Sequence, residues 1–373
     1  MMVLWAVGLF VLIYIAQTIY LAIVLKWEDD QTVGLQYYGR PRHERAAFKR
    51  WLRVHAWLLS PVLAINSRLT RLDFRRSRIT YQGIAAPSGS CSTESFARGA
   101  GYTAQAADIF VATQMKCGTT WMQHVVYEVL LRGKGNLVQT GATLYSVCPW
   151  LEGRKSVSLA DAPLVGTQQR RIIKTHFPAQ LCPDSKAARY IYVARHPVSC
   201  FASCIDFVVT NVGRMAPPLP AFEEWYCSAD LMWWGTWTDH VQGWWARAQQ
   251  QDNVLFVYFE DMKRDLAGVV QRVAGFLGEA PLSETELANV VEKCSFEYMQ
   301  RHQEAFEMQP PHILQTNAAL FVSGKADRHR DVPPDTRARL RNWAGQAFPP
   351  DHPVLAVYDD LERRGAALSG SST

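Results

Sequence analysis

Asp108-Ile-Phe-Val-Ala-Thr113, Gln114-Met-Lys-Cys-Gly118 and Thr119-Thr-Trp-Met-Gln-His-Val-Val-Tyr-Glu-Val-Leu-Leu131 are three consecutive pieces of chain with three different characters. The first is a short apolar run bounded by polar residues, the pattern of a buried strand. The third repeats its apolar positions with helical period. The middle piece is a tight turn with one Lys and one Gly, and it runs into two Thr. A strand, a tight loop and a helix in that order form an anion cradle. Backbone N–H groups and the positive end of the helix point at the ligand. Lys116 adds a mobile cation, and Thr119 and Thr120 add hydroxyl donors. A phosphate or a sulfate is the ligand this chemistry suits. The nucleotide-binding loop Gly-x-x-x-x-Gly-Lys-Ser/Thr places its Lys after the second Gly. Here Lys116 precedes Gly118 and no earlier Gly lies within reach, so a magnesium-dependent nucleotidase fits poorly.

Lys116-Cys-Gly-Thr-Thr-Trp121 resembles the 5′-phosphosulfate loop of sulfotransferases that use 3′-phosphoadenosine 5′-phosphosulfate (PAPS), where Thr-Tyr-Pro-Lys-Ser-Gly-Thr-Thr-Trp is usual. Gln114, Met115 and Cys117 depart from that pattern. Further segments follow in the family's order. Arg171-Ile-Ile-Lys-Thr-His-Phe-Pro178 reads as a strand with a polar end, where open α/β sheets hold ligands, and Lys174 and His176 share one side of an extended chain. It is similar to the family's Lys-Ser-His-Leu-Pro segment, which implies His176 as catalytic base. Arg189-Tyr-Ile-Tyr-Val-Ala-Arg-His-Pro-Val-Ser-Cys-Phe-Ala-Ser203 is a strand entering a helix, with Pro197 suited to its first turn. It resembles the 3′-phosphate segment and implies Arg195 and Ser203 as donors, Arg195 through a forked hydrogen bond.

Tyr258-Phe-Glu-Asp-Met-Lys263 is similar to the family's Tyr-Glu-Asp-Met-Lys segment, with Phe259 where a Tyr is common near adenine. Cys294-Ser-Phe-Glu-Tyr-Met299 implies Ser295 and Phe296 as binding residues, Phe296 stacking on adenine opposite Trp121. Phe321-Val-Ser-Gly-Lys-Ala-Asp-Arg-His-Arg330 keeps Gly324 and Lys325 of the loop that closes over the 3′-phosphate, but has Ser323 where the family has Arg. Arg328 or Arg330 is the candidate replacement. No good copy of the family's dimer segment follows. The Trp-rich stretch Phe222–Trp245 could be taken for a sugar-binding or membrane surface. The family's counterpart of Gly235–Trp245 is a packed helix, which implies core.

The resemblance covers roughly residues 105–345. It implies a P-loop-like three-layer α/β/α fold around a mainly parallel sheet. The implied reaction is sulfuryl transfer from PAPS to a hydroxyl or amine, with His176, Lys116 and Lys174 catalytic. The implied PAPS site comprises Lys116, Cys117, Gly118, Thr119, Thr120, Trp121, Arg195, Ser203, Phe259, Ser295, Phe296, Gly324 and Lys325. No metal is expected, since lysines supply the countercharge. Competing readings are a P-loop kinase, for which Glu260 and Asp261 are the tempting magnesium ligands, and a membrane-anchored nucleotide-binding protein that has lost catalysis.

Composition bounds the rest. The chain has 373 residues, 48% hydrophobic and 20% charged, with a net charge of +5. That balance suits a packed globular protein with an anionic small ligand or membrane surface, and is too weak to argue for nucleic acid. Eight Cys are scattered without metal spacing, and Cys200 and Cys204 share one helical face as core residues. Val3 to Leu25 has no charged residue; as a helix it is about 34 Å long, enough for a ~30 Å hydrocarbon core. It lacks the basic flank and cleavage site of a signal peptide. The cations that follow it, Lys26 to Arg53, place the body of the protein in the cytoplasm. The expected organisation is a transmembrane anchor at 1–27, a basic juxtamembrane segment and linker at 28–101, the sulfotransferase domain at 102–366 and a disordered tail at 367–373. Phe48–Leu69 reads as an amphipathic helix, on anionic lipid or packed against the domain. The small polar stretch 85–101 reads as a linker or surface loop. A lipid or other lipophilic small molecule is the expected acceptor.

Overall fold

The computed structural model describes residues 1–307, 310–314 and 327–360. A small antiparallel hairpin, β1 (Arg78–Tyr81) and β2 (Ile84–Pro87), precedes a four-stranded sheet. The sheet consists of β3 (Asp108–Ala112), β4 (Arg171–Thr175), β5 (Arg189–Ala194) and β6 (Val254–Tyr258), in the order β4-β3-β5-β6 and all parallel. Its central strands are near-continuous apolar runs, as strands covered on both faces must be. Alternate residues feed opposite layers. Phe110, Tyr190 and Tyr192 join Phe177, Trp237 and Trp244 on one side. Ile109, Val111, Ile191 and Val193 meet Val125, Val126 and Val129 of the helix Thr119–Leu130 on the other. Full burial of each such side chain contributes about 1.5–3 kcal/mol. The sandwich of helix, sheet and helix is the three-layer fold implied by the sequence.

The connection after β3 leads to one neighbour, β4, and the chain then crosses to the other, β5. Strand order therefore reverses at the carboxyl end of β3, the place where open α/β sheets bind ligands. The loop 113–118 sits there.

Two stretches differ from expectation. Residues 85–101 are no linker. Residues 85–87 belong to β2, and Thr93–Ala100 is a helix closed by a capping box between Ser92 and Ser95. Phe96 is fully buried, edge-on to Phe177 at 4.9 Å. Small polar residues that look like loop are here cap and turn chemistry. The expected helix at Phe48–Leu69 is two helices, Arg42–Leu58 and Ser60–Leu69. Pro61 lies in the first turn of the second, where its missing N–H costs nothing. The N-terminal helix runs Met2–Gln31, and its Leu21 and Val24 pack with Phe48, Leu52, Leu59 and Val62 in a separate small core.

Candidate active site

The loop after β3 turns sharply because two residues accept positive φ: Lys116 at 65° and Gly118 at 99°. A Cβ on Gly118 would lie 2.8 Å from Phe259 Cδ2, so both conformation and space require Gly. Lys116 has no such freedom and bears strain of about 1–2 kcal/mol, a cost that clusters at functional sites. The helix Thr119–Leu130 begins immediately after, with Gly118 as N-cap and no side-chain cap. Its first-turn N–H groups and the Thr119 and Thr120 hydroxyls form the donor end of the cradle. Thr119 Oγ1 is 2.6 Å from Thr113 Oγ1. Burial pushes the Lys116 ammonium below its ordinary value, and it lies 5.0 Å from the centre of the Phe207 ring.

Arg195, at the end of β5, donates to Lys116 O and to Ser203 Oγ, both at 2.9 Å. The two residues paired by their sequence spacing are thus side by side, next to the loop. Phe259 lies beneath them, 4.3 Å from the guanidinium and edge-on to Trp121 at 5.5 Å. Lys263 stands 5.6 Å from the Trp121 ring and 5.5 Å from that of Phe296, so these aromatics frame one space. Trp121 Nε1 donates to Cys294 O at 2.7 Å, and Ser295 caps the short helix Phe296–Arg301. Gly324 and Lys325 lie outside the described residues, as does Ser323. Arg328 pairs with Asp206, one turn beyond Ser203, and with Asp331. Arg330 approaches Asp327.

β4 delivers Lys174 and His176. Both are buried. Lys174 Nζ is 3.6 Å from the centre of the Trp150 ring and 5.1 Å from that of Tyr145. Burial pushes its pKa down to about 7 against the opposing pull of Glu152. His176 Nδ1 lies 2.9 Å from Thr113 O. A carbonyl only accepts, so Nδ1 carries the proton and Nε2 is the basic nitrogen. Burial, and then the neighbouring Lys174, hold His176 well below its ordinary pKa; it is neutral at pH 7. Trp234 packs 4.8 Å from the imidazole and Trp150 meets it edge-on at 5.7 Å. His176 therefore faces an apolar, aromatic wall.

Two site residues were not anticipated from the sequence. Glu152 is completely buried; it accepts from Thr175 Oγ1 at 2.9 Å and from His176 N at 2.7 Å. It fixes the backbone between Lys174 and His176. Its only sequence signal is an acid directly after the apolar Trp150-Leu151. Gln114, where the loop departs from the usual Tyr, donates through Nε2 to Trp233 O and Gly235 O at 2.9 and 2.8 Å. It clamps the turn in which Trp234 and Gly235 both adopt positive φ, and so holds Trp234 against His176. His240 supports the same region, with Nε2 2.9 Å from His176 O and Nδ1 2.9 Å from Tyr192 Oη.

Glu260 accepts from His196 N at 2.9 Å, and Asp261 pairs with Arg264, so both acids that tempted a magnesium reading are used in local structure. Among the described residues no group of three or more His, Cys, Asp and Glu could hold a metal ion. Trp225, Trp237 and Trp244 are fully buried, which makes most of the Trp-rich stretch core.

A family model described as a sulfotransferase domain matches residues 106–347. Mouse sulfotransferase 2B1 is 30% identical over 271 residues, covering 70% of this chain and 78% of its own length. Human sulfotransferase 1C2 is 30% identical over 207 residues, covering 54% and 68%. Among solved structures, retinol dehydratase in complex with androsterone and the inactive cofactor PAP aligns with a TM-score of 0.60 at 18% identity, covering 74% of this chain and 95% of that one. Mouse sulfotransferase SULT7A1 complexed with PAP aligns with a TM-score of 0.56 at 21% identity, covering 76% and 98%. At these identities the structural likeness is one of fold.

Proposed function

The chain belongs to the sulfotransferase family, and on that premise we propose that it moves a sulfuryl group from PAPS to a hydroxyl or amine of a lipophilic, membrane-associated acceptor, with His176 as general base. The donor set fits a bisphosphorylated nucleotide: one cradle of N–H, hydroxyl and ammonium groups around Lys116–Thr120, and a second of Arg195 and Ser203. PAPS supplies the activated sulfuryl group. His176 Nε2 takes the proton from the acceptor, and Lys116 and Lys174 offset the negative charge that develops nearby. Trp121 and Phe296 offer two faces to a purine. Trp150 and Trp234 form an apolar acceptor wall.

The observation that carries this reading is the His176 Nδ1 contact with Thr113 O at 2.9 Å. It ties the base to the first residue of the phosphate loop and leaves Nε2 unprotonated beside Lys174. Base assistance of this kind is typically worth ~10²–10⁴-fold. The N-terminal helix supports membrane attachment, with the catalytic domain on the cytoplasmic side following the cations that succeed it.

The test is calorimetric binding of 3′-phosphoadenosine 5′-phosphate, ADP and ATP to the full chain in lipid nanodiscs, with and without magnesium, followed by His176→Ala. Preference for the 3′-phosphorylated nucleotide without magnesium, kept in the variant while turnover is lost, is the expected result. Equal or better binding of magnesium-ATP overturns the assignment, and loss of both binding and turnover in the variant removes His176 as base.

A further inference from the structure

The N-terminal helix does not stand clear of the domain. Its C-terminal half runs antiparallel to the helix Arg42–Leu58. Trp27 lies 4.2 Å from Trp51, Tyr20 lies 6.0 Å from His55, and Gln17 Nε2 donates to Leu58 O at 3.4 Å. Tyr14 then donates to Asn66 Oδ1 in the helix Ser60–Leu69 at 2.7 Å. Before Tyr14 every residue is exposed. Just beyond Asn66, Arg71 donates to the carbonyls of Arg214 and Ala216. The catalytic domain thus reaches the level of Tyr14, halfway along the apolar run.

An upright span of Val3–Leu25 would put Tyr14 at the bilayer midplane. Arg68, Arg71 and Arg214, all exposed, would be carried towards that depth with the domain attached to them, and guanidinium groups facing lipid there are strongly disfavoured. The headgroup boundary belongs near Tyr14 and Gln17 instead. At that level the Leu58 end of the helix Arg42–Leu58 and the helix Ser60–Leu69 present an interfacial surface. Trp57 is 74% and Leu69 76% exposed, with Val54 and Leu58 also open. Exposed Arg53 and Arg68 flank them. Apolar and aromatic tips ringed by cations suit an anionic leaflet.

We propose that the end of the Arg42–Leu58 helix from Val54 onward, together with the helix Ser60–Leu69, is a docking face for an anionic bilayer leaflet. Tyr14–Gln17 then lies at headgroup level, and within Val3–Leu25 only Val3–Ile13, about 16 Å of helix, enters the hydrocarbon, to roughly the depth of one leaflet. This rests on the membrane-attachment reading and replaces the upright span of Val3–Leu25 expected from the sequence.

The test uses the full chain in phosphatidylcholine–phosphatidylglycerol vesicles. Single Cys substitutions at exposed positions, Val3→Cys, Ile13→Cys, Ile23→Cys, Trp57→Cys and Leu69→Cys, carry an environment-sensitive fluorophore, and lipids spin-labelled at the headgroup or mid-chain act as quenchers. Seven of the native Cys are buried and Cys227 is half-buried, so Cys227→Ser gives a quiet background. The expected depth order is Val3 deepest, Ile13 shallower and Ile23 unquenched, with Trp57 and Leu69 quenched from the headgroup. Deepest quenching at Ile13 with shallow Val3 and Ile23 means an upright span and overturns the proposal while leaving membrane attachment intact. No quenching at any position overturns both.

Discussion

Glu152 is the residue through which the acceptor side of the site is most directly tested. It accepts two hydrogen bonds from buried groups, Thr175 Oγ1 and His176 N, and it is the main negative influence on Lys174. Glu152→Ala leaves both donors without that acceptor. Each orphaned buried donor costs about 1–3 kcal/mol, so the loss is about 2–6 kcal/mol. At roughly 2–4 °C per kcal/mol for a domain of this size, thermal melting should fall by at least several degrees. Glu152→Gln behaves differently. Its carbonyl oxygen keeps the His176 N–H while its amide replaces the oxygen that accepts from the Thr175 hydroxyl, so one acceptor of the two is lost and stability falls by about 1–3 kcal/mol, roughly half the loss in the Ala variant. It also loses its charge.

Without a carboxylate beside it, Lys174 falls further below its pKa of about 7. In the proposed mechanism the ammonium form offsets developing negative charge, so the basic limb of the kcat/KM–pH profile moves to lower pH. Each unit of movement costs about tenfold in rate above the limb, the equivalent of 1.4 kcal/mol. The assay is a profile from acid to mildly basic pH on both variants in nanodiscs, alongside their melting curves. If the Gln variant keeps the parent limb, or the Ala variant melts like the parent, Glu152 is only packing and the reasoning fails.

Three further outcomes follow from the geometry. Gln114→Ala frees the Trp233–Gly235 turn; it should raise acceptor KM more than the dissociation constant of 3′-phosphoadenosine 5′-phosphate, read by kinetics and calorimetry on the same preparation. Arg195→Ala should cut the preference for the 3′-phosphorylated nucleotide over ADP by about 10- to 100-fold, since a hydrogen bond to a charged group is worth ~1.5–3 kcal/mol; unchanged selectivity would exclude Arg195 from the 3′-phosphate. His240 is buried with its pKa lowered to about 4, against about 6.5 when unfolded. Between those values the folded state binds fewer protons, so stability drops as pH falls from 6.5 towards 4. His240→Gln should flatten part of that fall in a pH series of melting temperatures.

Most of the sheet, and the strand ends that bring Lys116, His176 and Arg195 together, were legible because their signals are local. β3, β4 and β5 are apolar runs followed directly by Thr113, His176 and Arg195, and a strand end next to a helix start is visible within ten residues. Glu152 and Gln114 were not legible because their partners are distant. Gln114 reaches residues 119 and 121 positions away, and neither contact leaves a periodic trace. Residues 85–101 misled because Ser92 and Ser95, which cap a helix, have the composition of a loop, while the one anchoring ring, Phe96, is isolated. Phe48–Leu69 misled because a second helix, with Pro61 in its first turn, begins at Ser60 where a continuous pattern suggested one helix. The Trp-rich stretch was read correctly only with help from family resemblance, since aromatic density alone does not distinguish a core from a binding surface.

The contacts that seat the N-terminal helix reach further than membrane attachment. Lys155 binds Asp29 and Thr32 Oγ1 at its end, both at 2.8 Å, and Glu28 accepts from Ile313 N at 3.0 Å. Lys155 belongs to the same short loop as Trp150 and Glu152, while Tyr37 and Lys49 hold Glu307. The first 69 residues are therefore no detachable handle. A soluble truncation, a fused tag or a harsh detergent would work as a lever on the loop that carries Trp150 and Glu152, beside His176.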